Sequence, residues 1–265
     1  MRSQISKVLI LIILSVSFFY GEATPEMIEQ WLKGDNAATK EIAIKEIGKR
    51  KLEKFVPQLK EILITEPKKE VSRVEPKAEP KVDPKKKNEK GKAKEKPKIS
   101  RAKDNEIQKE KESEKLRTAA ALALANFKGD KEIATMFLDV LKTSQYKRSL
   151  RLACIKALGD IGDNSKEVIM PLVNLLNEFD PELVIEVISS LERIGEPKVQ
   201  FILSDVVKVY EDKDVRKRAL AAIEKIGNSK VVRELQQSIE DNKKDDYKEL
   251  VPLIEKAIAR LQLKK

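Results

Sequence analysis

The sequence predicts an all-α chain, a right-handed α-solenoid of about five helix pairs with a capping helix at each end. Three observations carry this expectation. A phrase recurs: Ala157-Leu158-Gly159-Asp160-Ile161-Gly162-Asp163 is echoed by Ser190-Leu191-Glu192-Arg193-Ile194-Gly195 and Ala222-Ile223-Glu224-Lys225-Ile226-Gly227. Gly162, Gly195 and Gly227 fall 33 and then 32 residues apart, the period of stacked supersecondary units. Apolar residues between these points recur at spacings of three and four, one face of a helix. Only 5% of residues are aromatic, and the apolar remainder is the aliphatic set that packs helix on helix.

Residues 1–23 read as an export signal. Arg2 and Lys7 open it, an apolar run from Val8 to Tyr20 follows, and Gly21 and Ala23 place small residues for cleavage after Ala23. The run is short for a permanent membrane span. Lysine outnumbers arginine 42 to 12, a bias that suggests an AT-rich bacterial genome. The expected address is therefore the periplasm or cell envelope, with a retained anchor as the alternative.

Residues 24–64 form the N-terminal cap helix and the first repeat. Thr24 suits an N-cap, Pro25 the first helical position and Gly34 a stop. Met27, Ile28, Trp31 and Leu32 make one apolar face, so the only Trp is expected to cover the first repeat. Ala43-Ile44-Lys45-Glu46-Ile47-Gly48 matches the recurring phrase, and Gly48 to Pro57 has the same spacing as Gly162 to Pro171. That register sets Gly48 beside Gly162, and Lys40 in the column of Cys154.

Residues 65–112 change character. Glu75-Pro76-Lys77, Glu79-Pro80-Lys81 and Asp83-Pro84-Lys85 repeat an acidic–Pro–Lys unit, and lysines continue to Lys98. Low hydrophobicity, proline and dense charge predict a disordered insertion, with the next helix able to start early, near Asn105. From Lys77 to Lys103, twelve basic and four acidic residues give a net charge of +8. With Arg2 and Lys7 also set aside, the remaining residues are neutral, so the chain's +10 is no sign of nucleic-acid binding by the repeats. Lys85, Lys86, Lys87, Lys90, Lys92 and Lys94 are candidates for contact with an anionic envelope surface. No aromatics interleave with them for base stacking.

Residues 113–265 carry repeats two to five, near 113–142, 146–178, 180–211 and 213–241, and a C-terminal cap helix near 245–263. In repeat three, Leu150, Ala153, Cys154, Ala157, Leu158 and Ile161 line the first helix, and Val168, Leu172, Leu175 and Leu176 the second. Cys154 shares a column with Ala120, Val187 and Ala219, so a buried thiol is expected. Gly48, Gly162, Gly195 and Gly227 follow the last apolar residue of each first helix, where a left-handed cap is expected. Asp163, Ser165 and Ser229 suit the starts of second helices.

The motifs resemble HEAT repeats, of the HEAT-like kind also found in phycobilisome lyases. The resemblance rests on an apolar–Arg pair (Leu116-Arg117, Leu150-Arg151, Val215-Arg216), then Ala-Leu-Gly-x-Ile-Gly-Asp, then Pro171 with Leu172 and Leu175. Repeat four departs from it, with Leu183-Val184 in place of the pair. The resemblance implies a scaffold whose second helices line the concave side and bind protein partners there.

Residues of the second helices that lie off the apolar stripe are the candidate partner contacts: Asn174, Glu178, Asp205, Lys208, Arg233, Gln236, Gln237 and Glu240. The chain has no histidine and one cysteine. Imidazole catalysis, His-ligated metal and Cys-rich metal sites are thereby removed. No cofactor, metal, catalytic residue or nucleic-acid partner is expected. The function predicted is a non-enzymatic scaffold in a bacterial envelope assembly. A surface tether acting through the basic insertion and a lyase-type enzyme on the same solenoid are the alternatives.

Overall fold

Amphipathic helices with a single apolar stripe cannot bury it alone, and here they do so by stacking. The structure, a computed structural model, describes residues 23–65, 98–143, 146–241 and 245–264. Among these every regular element is helical. Helix α1 (Pro25–Lys33) precedes five pairs: α2 (Ala37–Arg50) and α3 (Val56–Ile64), α4 (Lys98–Leu124) and α5 (Lys131–Lys142), α6 (Arg148–Ile161) and α7 (Lys166–Asn174), α8 (Pro181–Ile194) and α9 (Val199–Val209), α10 (Lys213–Ile226) and α11 (Val232–Asp241). The short α12 (Asp245–Lys248) and α13 (Val251–Gln262) close the array. One buried aliphatic core runs through all of it, from Ala23 to Leu261. The chain is an α-solenoid.

Local chemistry sets most helix ends. Thr24 Oγ1 accepts from the Met27 N–H at 3.3 Å, Pro25 opens α1, and Ile28 is fully buried against the next helix. Trp31 and Leu32 pack on the core as the cap requires. Asn36, Asp130, Asp180 and Asp212 accept amide hydrogens at the starts of α2, α5, α8 and α10. Asp163 accepts from the Ser165 N–H at 2.8 Å in the turn before α7, and Asn228, not Ser229, caps the 3₁₀ turn before α11.

The first helices α2, α4, α6, α8, α10 and finally α13 pack side by side in chain order. Each second helix lies chiefly on the first helix of the following repeat: α3 on α4, α5 on α6, α9 on α10. Close approach of the first helices depends on small residues. A Cβ on Gly48 would stand 2.8 Å from Ala123 Cα, and one on Gly159 would stand 2.7 Å from Ser190 Cα. Ser190 Oγ donates to the Ile155 carbonyl at 2.9 Å across the same contact.

These contacts correct the register of the first repeat. Gly162 and Gly195 are left-handed caps, with φ of 73° and 76°. Gly48 lies inside α2, and Lys51, with φ of 52°, takes the left-handed position. Gly48 is thus the counterpart of Gly159 and Lys51 that of Gly162, a shift of three residues. Ala43, fully buried, then occupies the column of Cys154, and Lys40 does not. Pro57 stands at the start of α3 whereas Pro171 lies inside α7, so their equal spacings from a glycine were coincidental. Gly227 is extended, with φ of −81°, not left-handed.

The apolar–Arg column also has a structural use. Arg117 is buried on α4, where its Nε donates to the Leu63 carbonyl at 3.1 Å and its guanidinium stacks 4.6 Å from the Tyr146 ring. Arg216 is buried on α10, bonds the Tyr210 and Glu211 carbonyls and lies 5.6 Å from the Tyr247 ring. Both arginines satisfy carbonyls that a preceding second helix leaves open at its C-terminus.

Helix α4 begins at Lys98, so the expectation of disorder fails for 98–104, and the early start foreseen near Asn105 comes seven residues sooner. Residues 104–112 of it are exposed. Gln108 bonds Glu112 at 2.9 Å, and Lys147 ties Glu110 and Glu114 at 2.9 and 3.0 Å. The Gln108–Glu112 pair, four apart, supports the helix locally, and Lys147 anchors it from the start of the next repeat. Residues 1–22 and 66–97, with the export signal and Lys85, Lys86, Lys87, Lys90, Lys92 and Lys94, lie outside the described residues.

Cys154 is fully buried, and burial pushes its thiol up to about 12. A thiolate is the reactive form, so Cys154 is expected to resist a thiol-specific reagent at neutral pH until the chain unfolds. Labelling across a urea titration checks this, and reaction at a free-thiol rate in buffer contradicts it.

Candidate partner-binding groove

The second helix of repeat three is short for a local reason. Pro171 sits inside α7, where it removes one backbone donor. The helix tightens into a 3₁₀ turn over Leu175–Asn177, and the chain then runs extended through Glu178 to Asp180, the N-cap of α8. This leaves Phe179 on a linker with its side chain fully exposed. Across from it, α9 ends with Val209 exposed (71%) and Tyr210 half-buried.

Helices α7 and α9 scarcely touch: α7 and the 3₁₀ turn after it lean on α8, whereas α9 packs on α10. Between them lies a groove of about 570 Å³, within the size range of ligand pockets. Val173, Leu176 and Pro181 line one side, and Ile202, Val206 and Val209 the other. Carboxylates form its rim: Glu178, Asp205, Glu211 and Asp212. No lysine or arginine is among its lining residues.

Tyr210 ties the two walls together. Its hydroxyl donates to the Glu178 carbonyl at 2.8 Å. Repeat four has Val184 where repeats two and five have the buried Arg117 and Arg216, and the tyrosine supplies the donor for this carbonyl. Burial first, and then the Asp212 and Asp180 carboxylates, raise the phenol's pKa and keep it in its donating form. Glu178 is held by its side chain too, through Nη1 of Arg151 at 3.2 Å and a second, shorter bond from Nη2.

The predicted contact residues therefore divide. Glu178 and Asp205 share the groove, but Glu178 is committed to the scaffold. Lys208 reaches Asp241 and so joins α9 to α11, while Gln237 bonds the same Asp241 at 2.9 Å within α11. The bond to Asp241 holds Lys208 above its ordinary pKa, and the same bond lowers that of Asp241. Asn174, Arg233, Gln236 and Glu240 are exposed outside the groove lining. Phe179, Val209 and Tyr210 were not predicted. Phe179 did carry a signal, as an aromatic residue directly before an Asp-Pro helix start.

Asp180 also has an electrostatic role. The hydrogen bond from Arg148 is the main cause of its pKa falling to about 2, from an ordinary 3.8. A lowered carboxylate pKa stabilises the fold above about pH 4, and the contribution is lost as pH falls toward 2. The pair is half-exposed, so the effect is modest. Asp180→Asn is expected to flatten the acid-side slope of stability, read by urea unfolding at several pH values. An unchanged slope would contradict the assignment.

No group of three acidic or cysteine side chains suited to a metal ion occurs among the described residues, and no helix there is long and apolar enough to cross a membrane. A family model for HEAT repeats matches residues 169–251, which run from α7 to the start of α13. A second, for the PBS lyase HEAT-like repeat, matches residues 150–178, the α6–α7 pair. No curated protein matches the chain. With five stacked helix pairs, left-handed glycine caps and these two matches, residues 150–251 of this α-solenoid carry HEAT repeats.

Proposed function

We propose that this chain is an exported, non-enzymatic scaffold of a bacterial envelope assembly, and that it receives its protein partner on the second-helix side. HEAT repeats are a scaffold type for protein interactions. The observation that carries the reading is the α7–α9 groove, with an apolar floor and two exposed apolar side chains, Phe179 and Val209, at its edge. Exposed apolar surface of this kind marks interaction sites. Export rests on the pattern of residues 1–23.

A photo-crosslinking residue at position 209, in cells expressing the full chain, tests the location. A defined envelope protein is expected to be captured there, and not from position 131 at the exposed start of α5. Loss of that product in Phe179→Asp ties it to the groove. Equal capture from both positions, or none from 209, would refute the location. Amino-terminal sequencing of the envelope-recovered protein is expected to start at Thr24.

A second reading has its own observation, the net +8 carried by residues 77–103. In it the insertion holds the scaffold to anionic lipid or wall polymer. Deleting 77–97 is then expected to abolish sedimentation with phosphatidylglycerol vesicles and leave crosslinking at 209 intact.

A further inference from the structure

The groove's charge identifies the chemistry of its occupant. Asp205 and Glu211 are exposed rim carboxylates; among the described residues Lys208 interacts with Asp205 through space but is bonded to Asp241, and no ion pair holds Glu211. Glu178 is neutralised by Arg151, and Asp212 spends its oxygen on the Asp214 and Val215 amides. The rim thus keeps a net negative charge, from Asp205 on α9 and Glu211 just beyond its end, above a floor of Leu176, Ile202 and Val206. Phe179 faces water on the opposite edge.

Resting on the scaffold reading, we propose that this groove binds a segment of a partner protein in which one large apolar side chain is flanked by lysine or arginine. The apolar side chain fills the space between α7 and α9 and covers Phe179 and Val209. The flanking cations meet Asp205 and Glu211. Apolar burial supplies affinity, and charge complementarity sets which segments are accepted. An acidic segment is excluded by like-charge repulsion, the negative half of the same specificity.

A short fluorescein-labelled peptide carrying leucine between two lysine pairs serves as the probe, with fluorescence anisotropy measured on the full chain. Binding is expected to weaken about tenfold in the double variant Asp205→Asn, Glu211→Gln, and about tenfold in Phe179→Ala, in line with loss of an interface hot spot. It is also expected to weaken with added salt. All three positions are exposed, so the variants keep the parent's circular dichroism and melting temperature. Serine in place of leucine is expected to abolish binding. Equal binding of a peptide with glutamates around the leucine overturns the proposal, as does no binding of the lysine peptide.

Two further outcomes also overturn it. Displacement of the probe by a peptide of residues 66–97 makes the chain's own insertion the occupant. Concentration-dependent dimerisation that excludes the probe makes a second copy the occupant. If position 209 captures a partner and the probe shows no preference for lysine, the partner chemistry fails and the scaffold reading stands. If the probe behaves as expected and nothing is captured in cells, the scaffold reading fails.

Discussion

Leucine in place of Gly159 is expected to split the unfolding of this chain into two transitions. A side chain begun at that position would meet Ser190 Cα at 2.7 Å, Ser190 Cβ at 2.8 Å and Arg193 Nε at 2.8 Å. The arginine end can swing aside, but the α8 backbone cannot. Relief requires α6 and α8 to separate, which breaks the Ser190–Ile155 bond and opens the core between repeats three and four. Overpacking of this kind costs about 3 kcal/mol, well above the roughly 1 kcal/mol that a better helix former returns. In a solenoid each repeat is stabilised by its neighbours, so a weakened interface uncouples what lies on either side.

The chain carries its own reporter for this result. Trp31 packs at the N-terminal end, and its fluorescence follows that end alone, whereas far-ultraviolet circular dichroism follows every helix. The two signals are expected to coincide in urea for the parent chain and to separate in Gly159→Leu. Gly162→Ala is the control, since a Cβ there meets nothing within 4 Å and only the φ of +73° is strained. It is expected to cost about 1 kcal/mol without separating the signals. Coincident signals and an unchanged midpoint in Gly159→Leu would show that the first helices are not held by this contact.

Arg216→Ala is expected to destabilise the C-terminal repeats by about 3 kcal/mol. The buried guanidinium satisfies the Tyr210 and Glu211 carbonyls and fills the space beside Tyr247. Alanine leaves those acceptors without this donor and opens a void under the ring. Arg216→Met restores volume but no hydrogen bond, and is expected to recover less than half of the loss. Tyr210 and Glu211 also form the C-terminal wall of the groove, so Arg216→Ala is expected to weaken probe binding even where the chain remains folded. A loss under 1 kcal/mol by urea unfolding would mean that water replaces the arginine at these carbonyls.

Which features were legible in the sequence follows from which were local. The Thr24 cap, the Gly162 and Gly195 stops and the apolar stripes of the first helices depend on residues within one or two turns. Gly48 looked the same as Gly162 because each follows an Ile in a similar phrase. Its use is set by Ala123, which packs on it from the next repeat, so the local match gave the wrong register. Asp205 was legible as a polar position off an apolar stripe. Phe179 and Val209 were not, since exposure of an apolar side chain is decided by how far apart two separate helices stand. Glu178 and Lys208 were read as available, and both are engaged by residues distant in the chain, Arg151 with Tyr210 and Asp241.

The sequence alone determined that this protein is a stack of helix pairs with covered ends, because helix period, capping and turn chemistry are encoded in neighbouring residues. It also established the segregation of charge, since the net charge of a segment needs only counting. The tertiary structure decided where neighbouring helices close and where they part. That depends on the sizes of side chains brought together from different repeats, small at Gly48–Ala123 and Gly159–Ser190, and on α7 leaning on α8 while α9 packs on α10. The groove is the product of those distances, and no window of adjacent residues contains them.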